Sequence, residues 1–103
     1  MSFKNVEVKK KANVYHDGRV TSRTVITSAG AKLTLGVMLP GTFHFSTDAA
    51  ERIEVTQGHC RVKLAGESGW KDYRAGQSFD VPGNTGFDIE IVQLLDYVCH
   101  FLP

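Results

Sequence analysis

The stretch "GVMLPGTFHFSTDAAERIEVTQG" (residues 36–58) contains two short alternating runs joined by a polar connection, and the second run carries a charge where an apolar residue would fit. Successive side chains of a strand point to opposite sides, so Phe43, Phe45 and Thr47 share one face. Two phenylalanines belong inside a small β structure, which makes this the interior face. In the second run Glu51 is in register with Ile53 and Val55, while Arg52, Glu54 and Thr56 take the other side. A carboxylate on the apolar side of a strand is costly unless it is paired or hydrogen-bonded. Two readings follow. Glu51 either starts its strand and caps "STDAA" or bonds nearby amides, or it sits at the mouth of the interior and accepts hydrogen bonds from a hydroxyl-rich ligand.

Outward from this stretch, period-two alternation recurs between Gly, Asp, Asn and Pro, with no sustained 3.6-residue period. In "NVYHDGRVTSRTVI", Asp17-Gly18 supplies the two positive-φ positions of a type I′ turn and pairs Tyr15 with Val20. In "KLTLGVML", Leu33, Leu35, Val37 and Leu39 fall on one side. Further strands are expected at "TFHFST", "RIEVTQ", "HCRVKLA", "SFDVP", "FDIEIV" and "DYVCHFL", with turns at "AGESG", "RAGQ" and "PGNTG". The segment "TDAAER" is too short for more than a turn or two of helix, with Asp48 and Glu51 as its capping pair, and reads as a connection. About nine or ten strands in a hundred residues predict a closed barrel or jelly roll.

The 103 residues, 42% hydrophobic, suffice for one domain and one core. A net charge of +1 provides no long-range field to gather phosphate backbones, which disfavours a nucleic-acid partner. No apolar run reaches the ~18–20 residues needed to span a bilayer, and no apolar block follows the charges of "MSFKNVEVKKKANVY". The expectation is a cytoplasmic protein with no membrane partner. Cys60 and Cys99 fit neither a disulfide framework nor a CxxC pair, and are expected to be thiols.

The residues from 36 to 58 resemble the first motif of the cupin family, which has a glycine, a His-x-His pair, a glutamate and a later glycine. Glu51 and Gly58 have the spacing of the last two. The histidine positions fall on Phe45 and Thr47, or on His44 and Ser46 if the gap is one residue longer, and strand alternation favours the first register. The second cupin motif matches Gly76 and Pro82, and its histidine position is Phe87. Transition-metal sites need about three converging N or O donors, and Glu51 alone does not provide them. No metal is expected here, which disfavours the metal-dependent dioxygenases and isomerases common among cupins. His16, His44, His59 and His100 read chiefly as solvent-facing side chains.

Taken in order, "ANVYHDGRVTSRTV", "GVMLPGTFHFST", the glutamate of "AERIEV", "GW" followed by "YRAGQSFDVPGNTGF", and "DYVCHFL" resemble the pyrimidine/purine nucleoside phosphorylase family over nearly the whole chain. The resemblance implies an all-β, single-domain cupin, an RmlC-like jelly-roll β-barrel over about residues 31–103, with an N-terminal hairpin at about 6–26. It also implies a homodimer that cleaves nucleosides such as uridine, adenosine, guanosine and inosine with phosphate, giving free base and ribose 1-phosphate, with no cofactor. Gly36, Met38, Glu51, Trp70, Tyr97 and Cys99 match the family pattern. Two departures are His16, where a "YFDG" type of turn has phenylalanine, and "PGNTGF", where many members have "PANSSF".

Phosphorolysis of an N-glycoside passes through an oxocarbenium-like sugar, as glycoside hydrolysis does. Glu51 suits the catalytic role, holding ribose hydroxyls and stabilising the cationic sugar. Thr47 adds a hydroxyl near it, and Phe45, Phe87 and Tyr97 offer rings on which a base can stack. Phosphate needs cations or convergent N–H groups. Arg23 and His44 are the leading candidates, because alternation points Arg52 and Arg61 away from the interior; Arg74 is a further possibility. The alternative is a metal-free cupin that binds small molecules or partners without catalysis.

Overall fold

A computed structural model describes residues 2–103. Nine strands run through it: β1 (Glu7–Val8), β2 (Asn13–Tyr15), β3 (Val20–Ile26), β4 (Lys32–Met38), β5 (Gly41–Ser46), β6 (Glu51–Leu64), β7 (Lys71–Arg74), β8 (Ser78–Val81) and β9 (Gly86–Phe101). Among the described residues there is no α-helix, only a single 3-10 turn at His16–Gly18, and no helix is long and apolar enough to cross a membrane. All pairings are antiparallel.

The two longest strands organise the rest. Four separate strands expected from the sequence are in fact two, since "RIEVTQ" and "HCRVKLA" fuse into β6 and "FDIEIV" and "DYVCHFL" into β9. The pairing of β6 with β9 slips between Val55 and Cys60, and Gly58 sits at φ 102° there, where a Cβ would collide with the carbonyl of Leu94. Bulges of this kind bend a strand without ending it, so the polar, glycine-containing "TQGH" marks a bend and not a turn.

One half of each long strand therefore belongs to each of two sheets. In the first, β1 and β2 pair with β3, followed by β4, the C-terminal part of β9, the N-terminal part of β6 and β8. In the second, β5 pairs with the N-terminal part of β9, followed by the C-terminal part of β6 and β7. This is a jelly roll of the cupin kind, with a hydrogen-bonded ladder that does not close all the way round. Val20, Met38, Phe43, Ile53, Val55, Val62, Phe87, Ile89, Ile91 and Leu95 fill the space between the sheets.

The hairpin turn is the one expected. The Arg19 N–H donates to the His16 carbonyl at 3.1 Å around Asp17 and Gly18, both at positive φ, and Tyr15 pairs with Val20. It is not an appendage, because β3 pairs with β4 along its whole length. The segment 47–50 is a connection without helix. On β4, however, the row Leu33, Leu35, Val37 and Leu39 lies on the outer face. Leu33 alone of these is buried, against Val25 and Val98, and Leu35 and Leu39 are exposed. The interior row is Thr34, Gly36 and Met38, whose polar and missing side chains have a use described next.

Candidate active site

At the strand ends away from the bend, a cavity of about 160 Å³ opens between the sheets. The first sheet supplies Ser22 from β3, Thr34 and Met38 from β4, Glu51 and Ile53 from β6, and Tyr97, Cys99 and Phe101 from β9. Phe45, Ser46 and Phe87 face them from the second sheet, and Tyr15 reaches in from the hairpin.

Register explains the grouping. Across the first sheet Gly36 lies opposite Tyr97, Thr34 opposite Cys99, and Cys99 opposite Ile53, two residues along from Glu51. A Cβ on Gly36 would lie 2.6 Å from the Tyr97 hydroxyl, so only glycine leaves room for that ring across the sheet. Asn13 Nδ2 donates to the hydroxyls of Ser22 (3.2 Å) and Thr24 (3.1 Å), holding this polar wall at its β2 edge.

Glu51 is half-buried and has no cationic partner within salt-bridge distance among the described residues. Its contact is the Cys99 thiol, which donates to Oε1 at 3.4 Å. Burial raises the carboxyl above its ordinary value, and the Cys99 hydrogen bond pulls it part of the way back. Burial, and then the adjacent carboxylate, push the Cys99 thiol up to about 12, so it remains a neutral donor and not a nucleophile. Burial likewise keeps the Tyr97 hydroxyl protonated, beside Ser22. Cys60, buried in the core, is raised to about 11 and is equally inert.

The opposite wall is aromatic. Phe45 and Phe87 stack with centroids 5.7 Å apart, and Tyr15 and His16 meet Phe45 edge-on at 6.2 and 5.1 Å. These rings occupy two of the positions that hold histidines in metal-binding cupins. The third is Thr47, whose Oγ1 donates to the Pro82 carbonyl at 2.7 Å and accepts from the Thr85 N–H at 3.2 Å. With two rings and a committed hydroxyl beside a single carboxylate, the donor set does not fit a transition metal.

Four residues expected in the site, Glu51, Phe45, Phe87 and Tyr97, line one cavity. Three others do not. Thr47 is buried in the loop anchorage just described. Arg23 lies on the exposed face of β3 and donates to the Lys10 carbonyl at 2.8 Å, because the interior positions of that strand are Val20 and Ser22. His44 alternates with Phe43 and Phe45, so it faces outward and pairs with Asp88 at 2.8 Å. It borders a more open surface depression of about 390 Å³ with Lys63 and Glu67. That hollow is larger, but its charges are solvated and largely matched in sign. As expected from alternation, Arg52 and Arg61 also face outward, toward Asp80 (2.8 Å) and Glu90 (3.2 Å). Residue-by-residue reading missed Tyr15, Ser22 and Thr34. Ser22 and Thr34 could have been found as polar residues in register with buried Val20 and Met38.

The sequence pattern of the family described as pyrimidine/purine nucleoside phosphorylase matches residues 10–101. A protein of that name from Methylobacillus flagellatus is 54% identical over 96% of this chain and 96% of its own. Another, from Cupriavidus pinatubonensis, is 57% identical over 96% and 94%. The chain belongs to the pyrimidine/purine nucleoside phosphorylase family. A crystal structure of a protein of unknown function from Acinetobacter sp. ADP1 is 48% identical and superposes with a TM-score of 0.95, covering 98% of each chain. Oxalate decarboxylase of Bacillus subtilis shares the fold alone, with 17% identity and a TM-score of 0.68 over 86% of this chain and 27% of that one.

In this member of the phosphorylase family, one departure from the expected pattern packs on the aromatic wall and the other lies in the loop that Thr47 anchors. His16 packs its ring against Phe43 at 5.0 Å as well as Phe45. Gly83 stands where the "PANSSF" pattern has alanine, and a Cβ there would come within 2.8 Å of the Asp48 carbonyl. The loop that Thr47 anchors is therefore drawn in more tightly than an alanine would permit.

Proposed function

We infer that this chain is a nucleoside phosphorylase of broad specificity, and that purine and pyrimidine nucleosides are cleaved by phosphate at the Glu51 cavity, giving free base and (deoxy)ribose 1-phosphate. Family membership supports the reaction class. The observation that carries the site is a half-buried carboxylate without a cation, set among hydroxyls on one wall and rings on the other. When ionised, Glu51 accepts hydrogen bonds from ribose hydroxyls and offsets the positive charge that develops at the sugar in the transition state. Ser22, Thr34 and Tyr97 supply further hydroxyls to position it.

At about 160 Å³ the cavity is smaller than the ~300–1,000 Å³ of a typical small-molecule site. It takes the pentose and leaves the base at the aromatic rim of Tyr15, Phe45 and Phe87, where stacking accepts either ring system. Tolerance of many bases is the consequence. Incubating the protein with uridine or adenosine, with and without phosphate, tests this: phosphate-dependent release of base supports it. Binding of nucleoside with no release of base would favour the alternative, a metal-free cupin that binds without catalysis, which the lack of a cation in the cavity wall also suits.

A homodimer and a cytoplasmic location belong to the same proposal. Exposed Phe3, Val8 and Leu35 on the outer side of the first sheet suit a subunit contact, and sedimentation would test it. Cys60 and Cys99 as free thiols suit a reducing compartment.

A further inference from the structure

The phosphorylase reading leaves one reactant without a partner. Phosphate requires cationic or convergent N–H donors, and the cavity wall holds a carboxylate that repels it and no Lys, Arg or His. Most cations near the strand ends are occupied on the outer faces, Arg52 by Asp80, Arg61 by Glu90, His100 by Glu54 and Arg23 by the Lys10 carbonyl. Lys32 differs. It opens β4 two residues before Thr34, on the face that carries Thr34 and Met38 into the cavity. Its Nζ stands 5.0 Å from the centre of the Phe101 ring, and Phe101 both lines the cavity and pairs with Glu51 across β6 and β9. No carboxylate is in salt-bridge reach of Lys32 among the described residues.

We propose that Lys32 docks the phosphate co-substrate at the Phe101 rim of the Glu51 cavity. The proposal rests on the phosphorylase reading and assigns the phosphate subsite within it. The ring face of Phe101 holds the ammonium at the rim before phosphate arrives, and the ammonium offsets the repulsion between phosphate and the Glu51 carboxylate. A phosphate oxygen at this edge donates its electron pair to C1′ as the C1′–N bond breaks. The bonding pair leaves with the base nitrogen, which ends with the proton that hydrogen phosphate gives up on becoming the ester, passed through solvent, so charge and atoms balance with no further reactant.

Initial rates at varied phosphate and fixed uridine test this with the wild type, Lys32→Gln, Lys32→Arg and Lys63→Ala, the last in the outer depression beside His44. Lys32→Gln is expected to raise the KM for phosphate by about ten- to a hundredfold, the range for losing a hydrogen bond to a charged group. The KM for uridine is expected to stay near the wild-type value. Lys32→Arg restores most of the phosphate affinity, and Lys63→Ala leaves it unchanged. An unaltered phosphate KM in Lys32→Gln, or an equal rise in Lys63→Ala, overturns the assignment while leaving phosphorolysis intact. Base release by the wild type without phosphate dependence overturns the phosphorylase reading itself, and the subsite with it.

Discussion

Glu51 and Arg52 are neighbours on β6, yet the two faces of that strand treat charge in opposite ways. On the outer face Arg52 donates to Asp80 at 2.8 and 3.1 Å, and this guanidinium holds the Asp80 carboxyl below its usual range. On the inner face burial raises Glu51, and a weak thiol donor is all that compensates it. Asp72, beside His59 and Arg61, repeats the outer pattern. Carboxylates whose charge is already matched decorate a surface. One left unmatched in a cavity is available to a developing cation, and the fold accepts a cost in stability to keep it so.

That contrast can be broken most severely from the aromatic wall. Phe87 is buried and contacts Phe45 and Phe79, so Phe87→Ala should remove about 3–5 kcal/mol of stability, seen as a large fall in melting temperature and denaturation midpoint. Glu51→Gln comes next, and here activity and stability should part. Base release is expected to drop by about 10²–10³-fold, as when one electrostatic stabiliser is lost, while the protein melts no lower than wild type at neutral pH. The sign follows from the raised carboxyl: the folded state holds its proton more tightly than the unfolded state, so the wild type loses stability as pH rises from the ordinary glutamate value through the raised one. Glu51→Gln lacks that slope. Melting curves across this window should show the advantage of the variant growing as pH rises, and wild-type activity should climb over the same interval as Glu51 ionises.

Gly36→Ala is a smaller, two-part change. The added methyl meets the Thr21 backbone carbonyl as well as the Tyr97 hydroxyl, so strand and ring must both shift, at a cost of about 1–3 kcal/mol or more by overpacking, and the ring is expected to tilt into the sugar space. A melting curve and the KM for uridine should both move. On the outer face Arg52→Ala should alter neither rate nor melting temperature measurably, since exposed pairs contribute little. A clear loss of activity in that variant would mean that the outer face takes part in the chemistry.

The same division explains what could be read from the sequence. Alternation alone put Phe43, Phe45 and Thr47 inward, aligned Glu51 with Ile53 and Val55, and turned Arg52 and Arg61 away, because strand geometry leaves no other choice once one face is buried. Asp17-Gly18 fixed the hairpin register through the φ values it permits. On β4 alternation groups the leucines and valine on one side without saying which side is inner; they face outward, and the interior is lined by threonine and glycine, where a cavity needs hydroxyls and room more than hydrophobic bulk. Charge, chemistry and register group Arg23, His44 and Thr47 with Glu51 in the sequence. Their separation depends on pairings between strands far apart in the chain and on one loop anchorage, which no local pattern encodes. The bend at Gly58 was hidden for a related reason, since a bulge and a turn draw on the same residues.

The pairing of β9 with β4, β5 and β6 also has a consequence for biosynthesis. Tyr97, Cys99 and Phe101 leave the ribosome after every other strand has been made, so a nascent chain paused before them lacks that wall of the cavity. Assembly must wait for β9, whose ladders join segments distant in sequence, a topology that favours slow folding. Until that moment the partly made protein exposes the unpaired edges of β4 and β6, a period during which a chaperone would have the most to protect.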